Sequence, residues 1–276
     1  MIGTSKAWFC GMDNEVVELS TGDSGPFFPS YGKTFTYTGE YQIIDDSDNN
    51  WRIKLLTSGT FVAKSDLLLD IFAVGGGGGG GNYSSGYGAS GGGGGYTTTQ
   101  LSQYIEKNKS YEIIIGNGGE IATVGGNTTG FNVIANGGYN GTTSVYKDYD
   151  TSCELGGRGG SGGGSAYAYS TTQSESSFYA TNGGTNGGKG GTINSVYTIQ
   201  GAEGQGTTTK EFAEETGTLY SGGGAGYMST RYIKTAKGGA GGGGDSTYPG
   251  TDYLGGGGGG GAKGGSGILI IRNHRE

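Results

Sequence analysis

The sequence predicts an all-β protein: a jelly-roll-like β-sandwich merged with a bundle of polyglycine II helices. Three observations carry that expectation. Glycine supplies 68 of the 276 residues while proline is held to 3 and no strict Gly-X-Y period exists, which excludes collagen. The glycines gather into runs, and those at 75–81 and 255–261 are unbroken, a composition that would cost a helix about 1 kcal/mol per residue against alanine. Between the runs lie short segments with the two-residue alternation of strands, bounded by turn formers.

Residues 1–32 show little periodicity and are read as an N-terminal segment apart from a body over 33–276. Their aromatics, Trp8, Phe9, Phe27 and Phe28, either meet a partner or belong to an arm folded onto the same chain. The β pattern begins at 34–38, where threonines alternate with Phe35 and Tyr37. Segments 41–44 and 51–56 flank the turn formers of 45–50 and read as a hairpin. Ser58-Gly59 is a second turn, and the strand resumes over 60–63. Residues 67–74 are apolar on both faces except at Asp70, as in a buried strand, and run straight into the first glycine run. Later strands are expected at 96–101, 111–115, 131–135, 193–199 and 268–271. Short strands of this spacing, over roughly 240 residues, suit one sandwich rather than several domains.

A glycine run has no side chain to bury and loses the most backbone entropy on ordering. In polyproline II geometry it has three residues per turn and no internal hydrogen bonds, so every N–H and C=O points outward and needs a partner. Glycine-only helices can approach closely enough to supply those partners to each other. Seven residues in this form span about 22 Å. The runs are therefore expected to be rods joined at their tips by polar, tyrosine-bearing loops, and an alanine within a rod is expected to obstruct the packing.

The net charge of −7 and pI near 4.8 give no electrostatic footprint for nucleic acid or an anionic membrane. The start of the sequence shows no apolar signal region, and no stretch is long enough to span a bilayer, so a soluble protein is expected. Cys10 and Cys153 have no CxxC context, and a bridge between them is left open. The single histidine, His274, lies near the end of the sequence and reads as a solvated side chain, which leaves a serine nucleophile without a base. Lys189 and Lys263 are each followed by glycine, so the phosphate-binding Lys-Ser/Thr pair is missing. Asp46-x-Asp48-x-Asn50 resembles the start of a calcium loop, but Trp51 and Thr57 stand where glycine and glutamate belong, and a hairpin turn is preferred. The loop acids Asp148, Asp150, Glu154, Glu175, Asp245 and Asp252 are too few to suggest a glycosidase. A non-enzymatic protein without metal or cofactor is expected. Sequons at Asn82, Asn108, Asn127 and Asn140 follow from composition.

The remaining signal is aromatic. Tyr83, Tyr87, Tyr146, Tyr149, Tyr167, Tyr169, Tyr179, Tyr248 and Tyr253 lie in the segments between glycine runs, together with Tyr139 and Phe178. Tyrosine supplies contact area at low entropic cost with a hydroxyl for polar partners, as binding loops exploit. The same rings could instead cap the bundle or pack between protomers.

Thr57-Ser58-Gly59-Thr60-Phe61, a strand ending in Ala73-Val74 before the run at 75–81, and the run at 91–95 followed by Tyr96-Thr97 resemble the glycine-rich domain of bacteriophage tail fibres and prophage proteins. Tyr111-Glu112-Ile113-Ile114-Ile115-Gly116-Asn117-Gly118-Gly119, Thr129-Gly130-Phe131-Asn132 with Ala135-Asn136-Gly137-Gly138, and the closing Gly264-Gly265-Ser266-Gly267-Ile268-Leu269-Ile270-Ile271-Arg272 continue the likeness in order. A similar architecture occurs in anaplastic-lymphoma-kinase-type receptors, which the lack of a visible signal peptide and membrane helix disfavours. The resemblance implies a virion fibre or adhesin, on the tail or capsid surface and extracellular after release. Residues 1–32 would anchor it to other virion proteins, the tyrosine loops would contact a bacterial cell-surface glycan or protein, and a homotrimer follows by analogy. The alternative is a purely structural virion component, a head fibre, decoration or tail-tip protein without a receptor.

Overall fold

The structure, a computed structural model, describes residues 8–10, 16–20, 35–44, 51–82, 89–142, 156–164, 209–227 and 236–275. The described residues are all-β, with one 3-10 turn at Glu211–Ala213. The strands are β1 (Trp8–Cys10), β2 (Val16–Ser20), β3 (Phe35–Tyr37), β4 (Tyr41–Ile44), β5 (Arg52–Leu55), β6 (Gly59–Ala63), β7 (Leu67–Val74), β8 (Thr97–Ile105), β9 (Ser110–Ile113), β10 (Thr128–Gly130), β11 (Val133–Ala135) and β12 (Ile268–Asn273). Seven form an antiparallel sheet in the order β1-β2-β4-β5-β12-β7-β8. A second layer has the order β3-β6-β9, and β10 pairs with β11. Ile114 and Thr129 exchange both backbone hydrogen bonds, each at 2.8 Å, and so join the pair β10-β11 to the extension of β9.

The apolar character of β7, interrupted only at Asp70, has a direct cause: both of its faces are covered from Leu69 onward. Leu69, Ile71 and Ala73, with Leu269 and Ile271 of β12, face a core shared with Phe35, Phe61 and Ile113 of the second layer and with Phe131 between β10 and β11. Phe35 stacks on Phe61 at 5.3 Å, and Phe131 meets Phe61 edge-on at 5.3 Å. The alternate residues Phe72, Val74, Ile268 and Ile270 form a second core with Phe212 and Tyr220 on the opposite face. Each fully buried side chain of this size contributes about 1.5–3 kcal/mol of transfer free energy, so the two faces of β7 and β12 hold the sheet between its covering layers.

The expected strands at 34–38, 41–44, 51–56, 60–63, 67–74, 111–115 and 268–271 correspond to β3–β7, β9 and β12, while 193–199 lies outside the described residues. Strand β8 runs beyond residue 101 because a bulge carries it past a local break: Leu69 pairs with Gln103 but Ile71 with Gln100, leaving Leu101 and Ser102 opposite Asp70. Ser102 takes the left-handed φ of 56° there. The expected strand at 131–135 begins later, at Val133, because Phe131 and Asn132 form a left-handed turn between β10 and β11. In the N-terminal segment, β2 pairs with β4 and β1 with β2, so residues 8–10 and 16–20 extend the main sheet.

The glycine runs bond to one another with a period of three. Within 75–81, Gly75, Gly78 and Gly81 donate to the carbonyls of Tyr96, Gly93 and Ser90; Gly76 and Gly79 to Gly126 and Thr123; Gly77 and Gly80 to Gly265 and Ala262. Each partner steps back three residues as the run advances three, so these neighbours are antiparallel. The carbonyls follow the same rotation in the parallel sense: Gly76 and Gly79 accept from Gly138 and Gly141, Gly77 and Gly80 from Gly119 and Ala122, Gly78 and Gly81 from Gly258 and Gly261. Six chain segments thus surround one rod, the arrangement expected of a three-residue turn without internal bonds. The second run repeats it, with Ser90, Gly93 and Tyr96 donating to Thr142, Tyr139 and Asn136, and Gly92 and Gly95 to Gly258 and Gly255.

Close approach is why these positions must be glycine. A Cβ placed on any of residues 76–80 would stand well inside 3.0 Å of a neighbouring carbonyl oxygen, nearer than real Cβ contacts come. The expected exclusion of alanine extends to the ends of the runs, where a Cβ on Gly75, Gly91 or Gly95 would also overlap a neighbouring carbonyl, but not to the residues that flank them. Ala89 and Ala225 are fully buried at their flanks and keep the inter-rod bonds, Ala89 to Tyr227 and Ala225 to Gly260.

Candidate functional site

The final glycine run starts beside the end of β7 at residue 255, the chain returns through 262–266 to β12, and the turn before the run carries Tyr253. Two side chains set that turn. Asp252 Oδ1 accepts from the Ser266 N–H at 2.9 Å, and Ser266 Oγ accepts from the Tyr253 N–H at 3.0 Å. The backbone beyond is tied into the rods, Gly264 N–H to Gly119 O at 2.9 Å and Thr251 N–H to Gly242 O at 2.8 Å. Tyr253 takes a φ of 62° and leaves 39% of its surface exposed. Its neighbours line an open groove of about 410 Å³ between this turn, the loop at 56–58 and the segment 115–120. Glu120, Lys263 and Asn117 on its rim are exposed, and their side chains have no hydrogen-bond or ion-pair partner among the described residues. The groove wall is anchored to the core: Ser58 Oγ accepts from the Ile115 N–H at 2.9 Å, and the Tyr37 hydroxyl, its pKa pushed up by burial, donates to the Thr57 carbonyl.

A second open groove of about 360 Å³ is lined by Tyr96, Tyr139, Asn127 and Asn136. Tyr139 is 55% exposed, while the Asn127 side chain is engaged by the Gly137 N–H at 3.0 Å. Tyr248, 63% exposed, sits on a turn closed by its own N–H to the Asp245 carbonyl at 2.9 Å. Burial raises the Asp245 carboxyl, but hydrogen bonds from Lys237 and the Gly238 N–H outweigh it and hold the group below its ordinary value.

The described tyrosines do not share one tip of the bundle. Tyr253 lies where the rods meet the sheet, Tyr139 bonds midway along the run at 91–95, and Tyr248 lies beside Gly259 near the far end of the last run. The reason is the period-three bonding itself, which anchors each connecting turn at whatever height its flanking residues pair. Of the other candidates, Tyr83, Tyr87, Tyr146, Tyr149, Tyr167, Tyr169, Tyr179, Phe27 and Phe28 lie outside the described residues, as do Cys153 and the turn at 45–50. Trp8, Phe9 and Cys10 form β1.

The most concentrated chemistry is elsewhere, on the second face of the sheet, and no local pattern announces it. Asp70 is fully buried, and its carboxylate accepts from Arg272 Nε at 3.1 Å, from His274 Nδ1 at 2.7 Å and from the Ser102 N–H at 3.1 Å, the donor that the bulge turns inward. Burial raises this carboxyl, but the bonds from His274, Ser102 and Arg272, with the guanidinium charge, hold it below its ordinary value. Arg272 also donates to Glu214 at 2.6 Å, and Arg52 to Glu211 and, at 2.8 Å, to Glu214. The Phe212 ring lies against both guanidinium groups, its centroid 4.0 Å from Arg272 and 5.4 Å from Arg52. Glu211 accepts the Tyr220 hydroxyl; burial raises its carboxyl, and Lys54, Tyr220 and Arg52 together hold it low, while Tyr220 itself is pushed up.

His274 is therefore not the solvated side chain that its position in the sequence suggests. Ser102, His274 and Asp70 are in contact, yet they do not form an activated nucleophile. Ser102 Oγ stands 2.8 Å from Nε2 and 3.2 Å from Nδ1, so it lies across the ring rather than along the Nε2 lone pair. The cluster ties β12 and the 209–221 strap to the bulge of β8.

Comparison with protein families matches a glycine-rich domain profile to residues 56–274, from the end of β5 through β12 and across every described rod. No curated protein matches the chain.

Proposed function

Because the chain belongs to the glycine-rich domain family, we propose that it is a non-enzymatic attachment protein of a phage particle, contacting the host cell surface through tyrosines held on the glycine bundle. One observation carries this reading: Tyr253 is exposed on a turn whose backbone is bonded on both sides to the glycine rods, beside charged groups with no partner among the described residues. A pre-positioned aromatic ring loses little entropy on binding, which is how recognition loops gain affinity. Anchoring to other virion proteins falls to residues 1–32, with Trp8, Phe9, Phe27 and Phe28 as the contacts. In support, β1 ends the seven-strand order and its outer edge is free among the described residues for strand addition. The assembly is a homotrimer, and the partner on the cell is a glycan or protein.

The test is binding of labelled full-length chain to a panel of bacterial cells, with Tyr139→Ala, Tyr248→Ala and Tyr253→Ala variants checked for folding. Selective binding that weakens in at least one folded variant supports attachment. Folded protein that binds no cell of the panel shifts the assignment to a structural virion component.

A further inference from the structure

We propose that the groove beside Tyr253 is a carbohydrate site that takes one or two pyranose rings; the inference rests on the attachment reading above and names its ligand class. The volume of about 410 Å³ lies at the small end of ligand sites, which run from about 300 to 1,000 Å³. The chemistry of the lining is mixed in a specific way. Tyr253 offers an aromatic face for the apolar C–H face of a sugar ring. Around it stand a carboxylate acceptor at Glu120, an ammonium donor at Lys263, and an amide at Asn117 that does both. Asp252 commits Oδ1 to the Ser266 N–H and keeps Oδ2 for another donor. A sugar hydroxyl both donates and accepts, so the hydroxyls of a ring can pair with acceptors and donors alike along this lining.

The mixed charge of the lining favours a neutral ligand over a simple anion or polycation. A phosphate or sulfate drawn to Lys263 would stand against Glu120 and Asp252, and a polyamine drawn to the carboxylates would meet Lys263. A neutral polyhydroxylated ring can hydrogen-bond to groups of both signs without adding a like charge beside any of them. The site is also built before the ligand arrives. The 252–253 turn, Ser266 and the 263–265 backbone are fixed by hydrogen bonds between 2.8 and 3.0 Å, so the cost of ordering falls on the sugar and on the rim side chains alone.

The experiment is saturation-transfer NMR and titration of the full chain with D-glucose, D-galactose, D-mannose and N-acetyl-D-glucosamine, run beside cell binding on the same preparations. At least one sugar is expected to bind with a Kd of about 1 mM, a typical strength for so small a contact. Tyr253→Ala is expected to weaken it tenfold or more, while Tyr253→Phe, which keeps the ring on the same turn, retains it. Lys263→Met and Glu120→Gln should each weaken it, with the urea midpoint serving as the folding control. If none of the four sugars binds the folded chain, or if Tyr253→Ala binds as well as the parent, the carbohydrate site is wrong. Cell binding that persists without sugar binding, and is abolished by protease treatment of the cells, assigns a protein receptor and overturns this inference while leaving attachment intact. Sugar binding without cell binding does the reverse.

Discussion

A single methyl group added at Gly79 tests the rod architecture most directly. Gly79 lies in the middle of the central run, donates to Thr123 O at 2.9 Å and accepts from the Gly141 N–H at 2.8 Å. A Cβ there points at the carbonyls of Glu120 and Gly119, both backbone, so no side-chain rotation can relieve the overlap. The neighbouring segment must move away, and it is held to the same rod by Gly119 N–H to Gly77 O and Ala122 N–H to Gly80 O, each at 2.8 Å. Opening the first pair leaves a buried donor and acceptor unsatisfied at about 1–3 kcal/mol, and loosening the more exposed second pair costs about 0.5–1.5 kcal/mol. Alanine returns about 0.4–1 kcal/mol by stiffening the unfolded chain. The net loss expected for Gly79→Ala is therefore about 0.5–4 kcal/mol, centred near 2, a sizeable share of the roughly 5–15 kcal/mol by which domains are stable. Gly126→Ala is the matched control, because the nearest atom to its Cβ is Asn117 N at 3.1 Å, where a few tenths of an ångström suffice. Urea unfolding followed by tryptophan fluorescence reads both. If Gly79→Ala and Gly126→Ala unfold at the same urea concentration, close approach is not what demands glycine in the rods.

Replacing buried Asp70 with alanine leaves Arg272 and His274 facing an empty site, and a loss of about 3–5 kcal/mol is expected in the same assay. The acid dependence follows from the lowered carboxyls of Asp70 and Glu211, whose ordinary values are 3.8 and 4.5. The unfolded chain takes up protons at those values before the folded chain does, so their stabilisation is complete above them and is lost as pH falls further, through the folded values. Urea midpoints should hold steady from about pH 7 to 5 and drop below about pH 4, and Asp70→Asn should lower stability at neutral pH while flattening that drop; an unchanged slope contradicts the assignment. Phe212→Ala empties the space between the Phe72 and Tyr220 rings and the Arg272 guanidinium, with an expected loss of about 3 kcal/mol; retention of the parent midpoint would show that the strap contributes nothing to the second core.

Much of the fold was legible in local pattern. Strand β7 was bounded to the residue because its two-faced apolar run ends abruptly in glycine, and the pair β4-β5 follows from alternation and turn chemistry, whereas the pairing of β3 with β6 has no turn between them to announce it. The rods were legible for a similar reason: glycine alone, without proline, leaves outward-pointing peptide groups that only other glycine chains can approach. Strand β10, Thr128–Gly130, carried no signal, because three residues of threonine and glycine look like any loop until Ile114 pairs with them. Asp70 registered only as an interruption and His274 only as a residue near the sequence end. Their meaning depends on a contact across 204 positions, and nothing in either neighbourhood points to the other.

Composition and short-range periodicity thus determined the kind of structure, all-β with glycine rods, because backbone sterics and hydrogen-bond demand act within a few residues. Which rod lies beside which, the height at which each tyrosine is held, and the assembly of Asp70, Arg272, Glu211 and Arg52 into one network were decided only by tertiary structure. Arg52 reaches Glu211 across 159 positions and Arg272 reaches Asp70 across 202, and such pairings exist only once the sheet order has brought β5, β12 and β7 side by side.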